Sequence, residues 1–110
     1  MASPELLQLE KEADALRQQG LWSEAIEVLE RALANDESFV RAHLALAVLY
    51  HRVNDPERAC SHAERACELE PSDSFNFTAL SVTYQRAFEA TGDPAYIHKA
   101  EMAMARSRGM

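Results

Sequence analysis

The sequence predicts an all-α protein built as a stack of three antiparallel helix pairs, and three observations lead there. Residue classes recur at a step of 34 positions. The composition favours helices over turns. Proline, glycine and small polar or acidic residues fall where the expected helices meet.

The step is visible in several independent classes. Ala13, Ala47 and Ser81 keep it, as do Leu16, Tyr50 and Tyr84. Ala25 and Ala59, Ala32 and Ala66, Leu33 and Cys67, and Glu37 and Pro71 repeat it. A helix pair cannot bury its apolar face alone, so a repeat of this length implies stacking against the next pair. The alanines let backbones approach, and Leu16, Ile26, Leu29, Tyr50 and Tyr84 fill the space between successive helices.

At 110 residues the chain has the size of one domain, 1–110. Hydrophobic residues make up 47%, enough for a core, while 26% charge keeps the surface polar. Three glycines and four prolines are too few for a turn-rich β fold. A net charge of −7 opposes nucleic acid, whose phosphates would be repelled. No run of roughly 18 apolar residues occurs, so no membrane span is expected. Met1-Ala2-Ser3-Pro4-Glu5 carries no basic segment before an apolar core, so a cytoplasmic location is expected. Cys60 and Cys67, seven residues apart on one helix, would hold their Cα atoms roughly 10 Å apart, too far for a disulfide. Two unpaired thiols fit a reducing compartment.

The joints place the helices. Ser3-Pro4 reads as a cap followed by proline in the first turn, starting a helix over 4–19 that Gly20 ends. A second follows over 22–34. Asn35-Asp36-Glu37-Ser38 turns into a third over 38–52. Asp55-Pro56 starts a fourth over 56–69, and Pro71-Ser72-Asp73 leads to a fifth. Asp93-Pro94 caps a sixth. The repeats span 4–37, 38–71 and 72–108. From Asp55-Pro56 to Asp93-Pro94 is 38 residues, four beyond the step, so the fifth helix is expected to be a turn longer, 74–90. The last helix lacks the alanine pair at the expected places.

The second unit, Leu46-Ala47-x-x-Tyr50 followed by Ala59, Ala66 and Pro71, resembles the tetratricopeptide repeat. The resemblance covers nearly the whole chain and implies a right-handed superhelix that binds proteins. It also implies a concave groove lined by the first helix of each pair. The matching residues here are Leu7, Glu10, Asp14, Arg17 and Gln18; then Arg41, Leu44, Val48, His51 and Arg52; then Phe75, Thr78, Val82, Gln85 and Arg86. Four arginines against two acids give this set a formal +2, leaving −9 for the rest of a −7 chain. The expected guest is therefore a protein or peptide joining an acidic stretch to apolar residues, since arginine pairs carboxylates bidentately. Family members that clamp the acidic tails of chaperones use lysines, asparagines and an arginine. Glu10, Asp14, Ala45, Phe75 and Ala79 stand at those places here, so no chaperone-tail clamp is expected.

The function expected is that of a protein-interaction adaptor or scaffold, with no catalytic residues, no cofactor and no metal. His43, His51, His62 and His98 form no H-E-x-x-H pattern, and Cys60-x-His62 alone is too little for a metal site. Cys60 and Cys67 match Ile26 and Leu33 and are expected in the core. An alternative function is homo-oligomeric assembly through the last helix, with Tyr96, Ile97, Ala100 and Met104 as the self-association residues of a homodimer. A further alternative is a non-catalytic accessory subunit of an enzyme.

Overall fold

The structure, a computed structural model, describes residues 3–109; Met1, Ala2 and Met110 of the expected 1–110 unit, and with them the start of the segment read for a signal, lie outside the described residues. Six helices follow one another: α1 (Pro4–Gln18), α2 (Trp22–Asn35), α3 (Val40–Arg52), α4 (Pro56–Leu69), α5 (Ser74–Thr91) and α6 (Ala95–Arg108). No strand occurs among the described residues. Consecutive helices pack on one another, and α3 also touches α5 directly, so α3 and α5 share a layer.

The starts and stops have identifiable causes. Ser3 Oγ accepts from Leu6 N, Asp55 accepts from Arg58 N, and Asp73 accepts from Phe75 N. Each satisfies a donor that the first helical turn leaves open. Pro4 and Pro56 occupy first-turn positions where no N–H is required. Gly20, Asn54 and Gly92 follow α1, α3 and α5 with φ of 77°, 64° and 73°, the left-handed conformation that ends a helix. α3 begins at Val40 rather than at 38 because the Asp36 carboxylate accepts both Ser38 N (3.0 Å) and Ser38 Oγ (2.6 Å), holding that turn out of the helix.

Two apolar clusters run through the stack. One joins Leu6, Ala13, Ala25, Leu29, Ala32, Leu46 and Tyr50 across the first three helices. The other joins Ala47, Cys60, Ala63, Cys67, Phe77, Leu80, Tyr84, Ala100 and Ala103 across the last four. Both cysteines are buried and unbridged, and burial pushes each thiol up to about 11, which suits packing rather than nucleophilic chemistry.

In α6 the alanines needed for close approach do occur, displaced from the places expected. Tyr96, Ala100 and Ala103 stand 37 residues after Ala59, Ala63 and Ala66. Ala100 and Ala103 are buried against α5, and Ser81 Oγ donates to the Ala100 carbonyl at 2.8 Å. α5 has 18 residues against 13 in α3, and the connection to α6 shifts accordingly.

A second device repeats with the fold. Tyr50 Oη donates to Glu30 Oε2 at 2.6 Å, and Tyr84 Oη donates to Glu64 Oε2 at 2.5 Å. Each bond ties the first helix of a pair to the second helix of the pair before it. Burial first, then the adjoining carboxylate, raises both phenols, Tyr50 to about 12.

Candidate functional site

The face shared by α1, α3 and α5 is arranged in rows at the 34-residue step. Leu7, Arg41 and Phe75 form the row nearest the helix starts, and Gln18, Arg52 and Arg86 the row nearest their ends. Between them lie Glu10, Leu44 and Thr78, then Asp14, Val48 and Val82, then Arg17, His51 and Gln85.

The two ends of this face differ in charge. At the helix starts a cleft of about 450 Å³ opens between α3 and α5, with Arg41, Leu44 and Phe75 on its walls and Asp36, Glu70 and Asp73 around it. Phe75 is 64% exposed, an unusual placement for an aromatic ring. Arg41 is not open to a guest: its Nε and Nη2 hold the two Glu10 carboxylate oxygens at 2.8 and 2.9 Å. In the middle, Leu44 and Val82 are half-buried and Val48 is 36% exposed, giving an apolar floor.

At the helix ends the face turns basic. Arg17 pairs with Asp14 at 3.3 Å. The Arg52 guanidinium lies 5.2 Å over the Trp22 ring. Arg86 has no hydrogen-bond or ion-pair partner among the described residues. His51 is half-buried; burial and then Arg86 and Arg52 hold its pKa below 6.5, against the opposing pull of Glu89. Cations at helix C-termini also complement the helix dipoles.

Not every residue expected in the groove faces it freely. Thr78 Oγ1 is bonded to Ser107 Oγ of α6 at 2.6 Å and lies near the Ser74 carbonyl, so it is committed to packing α5 on α6. Of the four residues expected to form a self-association patch, Ile97, Ala100 and Met104 line one cleft and Tyr96 lies apart from it. Tyr96 turns inward, its ring 6.1 Å from Tyr84, and Ala100 is buried. Ile97 and Met104 line a larger cleft of about 700 Å³ at the open end of the stack, together with Ser81, Phe88 and Glu101.

Two of the four histidines pack against each other between α3 and α4. His43 is 3% exposed, and its Nδ1 stands 2.9 Å from His62 Nδ1 while its Nε2 donates to the Glu37 carbonyl at 2.8 Å. His62 stacks on Tyr50. Glu37 is held by Arg65 through contacts of 2.7 Å on both oxygens, which with the nearby His43 lowers its carboxyl to about 2. No group of three or more His, Cys, Asp or Glu placed to hold a metal occurs among the described residues.

The tetratricopeptide repeat family model matches residues 10–74, more than half of the chain. No curated protein matches the sequence. Among solved structures, the second TPR of Spaghetti (RPAP3) bound to the HSP90 peptide SRMEEVD is similar at a TM-score of 0.76 and 16% identity, covering 94% of this chain and 90% of that one. The first TPR of Spaghetti (RPAP3), bound to the same peptide, gives 0.68 and 17%, covering 99% and 94%. The Sgt2 TPR domain from Aspergillus fumigatus gives 0.68 and 22%, covering 94% and 80%.

These neighbours correct one expectation. Two of them hold an HSP90 peptide ending in EEVD on a superhelix of the same shape, so the exclusion of chaperone tails is withdrawn. It had counted Glu10 and Asp14 as free anions facing a carboxylate. Both are paired within the face, Glu10 by Arg41 and Asp14 by Arg17, which weakens the repulsion it assumed. The step of 34, the six helices stacked in order and the match over residues 10–74 establish that the chain belongs to the tetratricopeptide repeat family.

Proposed function

We propose that the chain is a protein-interaction module whose α1–α3–α5 face receives an extended acidic peptide, of the kind found at chaperone C-termini, from a partner protein. The observation that carries this reading is the polarity of the face. An apolar floor of Leu44, Val48 and Val82 leads to a basic end at His51, Arg52 and Arg86, where Arg86 lacks an internal partner. The acid-rimmed end beside Phe75 would take the apolar part of the guest, and the basic end its carboxylates. The neighbours bound to SRMEEVD support the choice of guest.

Fluorescence anisotropy with labelled SRMEEVD tests the proposal. Saturable binding is expected, weakened about ten-fold or more by Arg52→Glu with Arg86→Glu, and weakened similarly when the peptide's glutamates become glutamines. Raising salt should weaken it further. Absence of binding by the folded chain, or an affinity indifferent to both sets of changes, would sink the reading.

A further inference from the structure

The outer seat of each helix pair is built to one pattern, and among the described residues the last seat, on α6, is uncovered. On α2 the seat is Ile26, Leu29 and Leu33 with Glu30 beside them; α3 covers it with Leu46 and Tyr50, and Tyr50 bonds Glu30. On α4 it is Cys60, Ala63 and Cys67 with Glu64; α5 covers it with Phe77, Leu80 and Tyr84, and Tyr84 bonds Glu64. On α6 the residues 37 positions later are Ile97, Ala100, Met104 and Glu101, the same displacement that aligns Ala63 and Ala66 with Ala100 and Ala103. These four line the 700 Å³ cleft, Ile97 is 43% exposed, and Glu101 has no bonded partner among the described residues.

We infer that this cleft binds an α-helix of a second protein that carries leucine at i+3 and tyrosine at i+7, the tyrosine hydroxyl donating to Glu101. The two covered seats define the guest by leucine at i+3 and tyrosine at i+7, supplied by Leu46 and Tyr50 in one and by Leu80 and Tyr84 in the other, while position i is His43 in the first and Phe77 in the second. A second copy of this chain does not fit. Its three tyrosines are engaged, two on glutamates and Tyr96 against Tyr84. Its α1 presents Leu9, Glu12 and Leu16 at the corresponding positions, which would press Glu12 against the apolar floor near Glu101. This cleft adjoins the peptide face, sharing Gln85 with it, but its floor on α6 belongs to no part of that face.

A helix-stapled, fluorescein-labelled peptide of residues 74–91, the chain's own α5 sequence, is the probe. Saturable binding to the full chain is expected, lost on Ile97→Glu while circular dichroism stays unchanged. Glu101→Ala in the protein and Tyr84→Phe in the peptide should each weaken binding about ten-fold, and together no more than either alone. Any one of three results overturns the inference: no binding by the folded wild type, binding that Ile97→Glu leaves intact, or independent effects of the two hydroxyl-bond changes. So does a dimer in light scattering that Ile97→Glu dissociates, because the cleft then belongs to a second copy.

Discussion

His62 faces charged or titratable groups from every element around it: Glu30 on α2, Glu37 in the turn before α3, His43 and Tyr50 on α3, and Arg58 and Arg65 on its own helix. The Glu37 carbonyl can only accept, so His43 Nε2 carries a proton; in the neutral pair His43 Nδ1 then accepts from His62 Nδ1. That leaves His62 Nε2 unprotonated, 3.8 Å from Glu30. Burial outweighs the attraction of Glu30 and holds the His62 pKa below its ordinary 6.5, and burial with Arg86 and Arg52 does the same to His51. The unfolded chain therefore takes up protons at these two sites before the folded chain does. Stability falls as pH drops through 6.5 and levels off once the folded forms are protonated too. Urea midpoints should be lower at pH 5.5 than at pH 7.5, and His62→Gln should flatten that slope. A midpoint that holds or rises on acidification would contradict the assignment. The carboxyl of Glu37 plays no part in this window, since its lowered pKa of about 2 acts only below its ordinary 4.5. The burial of Cys60 and Cys67 was legible because Ile26 and Leu33 occupy the same places in the preceding repeat. The histidine pair was not, since its members lie 19 residues apart and only packing of α4 on α3 joins them.

Helix ends show how far local chemistry reaches. A left-handed residue follows the end of each first helix within two positions, and the solutions differ: glycine at 20 and 92, asparagine at 54. Around Gly92 nothing lies within 4 Å of an added Cβ, so a substitution there meets backbone strain and no steric clash. Gly92→Ala should destabilise the chain by about 1–2 kcal/mol, the cost of a non-glycine residue in this conformation. Gly92→Asn should cost less, because asparagine's polar side chain tolerates the conformation, as at Asn54. Thermal melts of the two variants check the ranking; equal losses would mean that the connection into α6 relaxes elsewhere. Most boundaries could be read from caps and prolines because those signals act within one turn. The start of α3 could not, because Ser38 offers itself as a first helical residue until the Asp36 carboxylate is seen to capture it. The alanines of α6 were misplaced for a related reason. Counting from Asp93-Pro94 assumes that α6 starts as α4 does, but Pro94 occupies the N-cap of α6 whereas Pro56 is already inside α4.

In the whole molecule each helix meets mainly its neighbours in sequence, so stability is close to a sum of local and adjacent terms. The stacking was legible because a fixed step repeats across bulky and small classes alike. Which arginines stay available was not, because Arg41 finds Glu10 31 residues away, and only the approach of α1 to α3 brings them together. The end helices pack mainly on one neighbour each among the described residues: α1 on α2, burying Leu6 and Ala13, and α6 on α5, burying Ala100 and Ala103. α3 and α5, by contrast, are covered from several sides and bury six and seven residues. Opening an end helix exposes one interface, whereas opening α3 exposes the surfaces of both pairs. Native-state hydrogen exchange should therefore show amides of α3, α4 and α5 exchanging only through global unfolding, and amides of α1 and α6 through smaller openings. Occupation of the open seat supplies α6 with the second neighbour it lacks. The stapled helix should slow exchange in α6 and leave α1 unchanged, while SRMEEVD should slow exchange along α3 and α5. Uniform protection across all six helices would mean that the chain opens as a single cooperative unit, and that the terminal pairs gain their stability from more than adjacent packing.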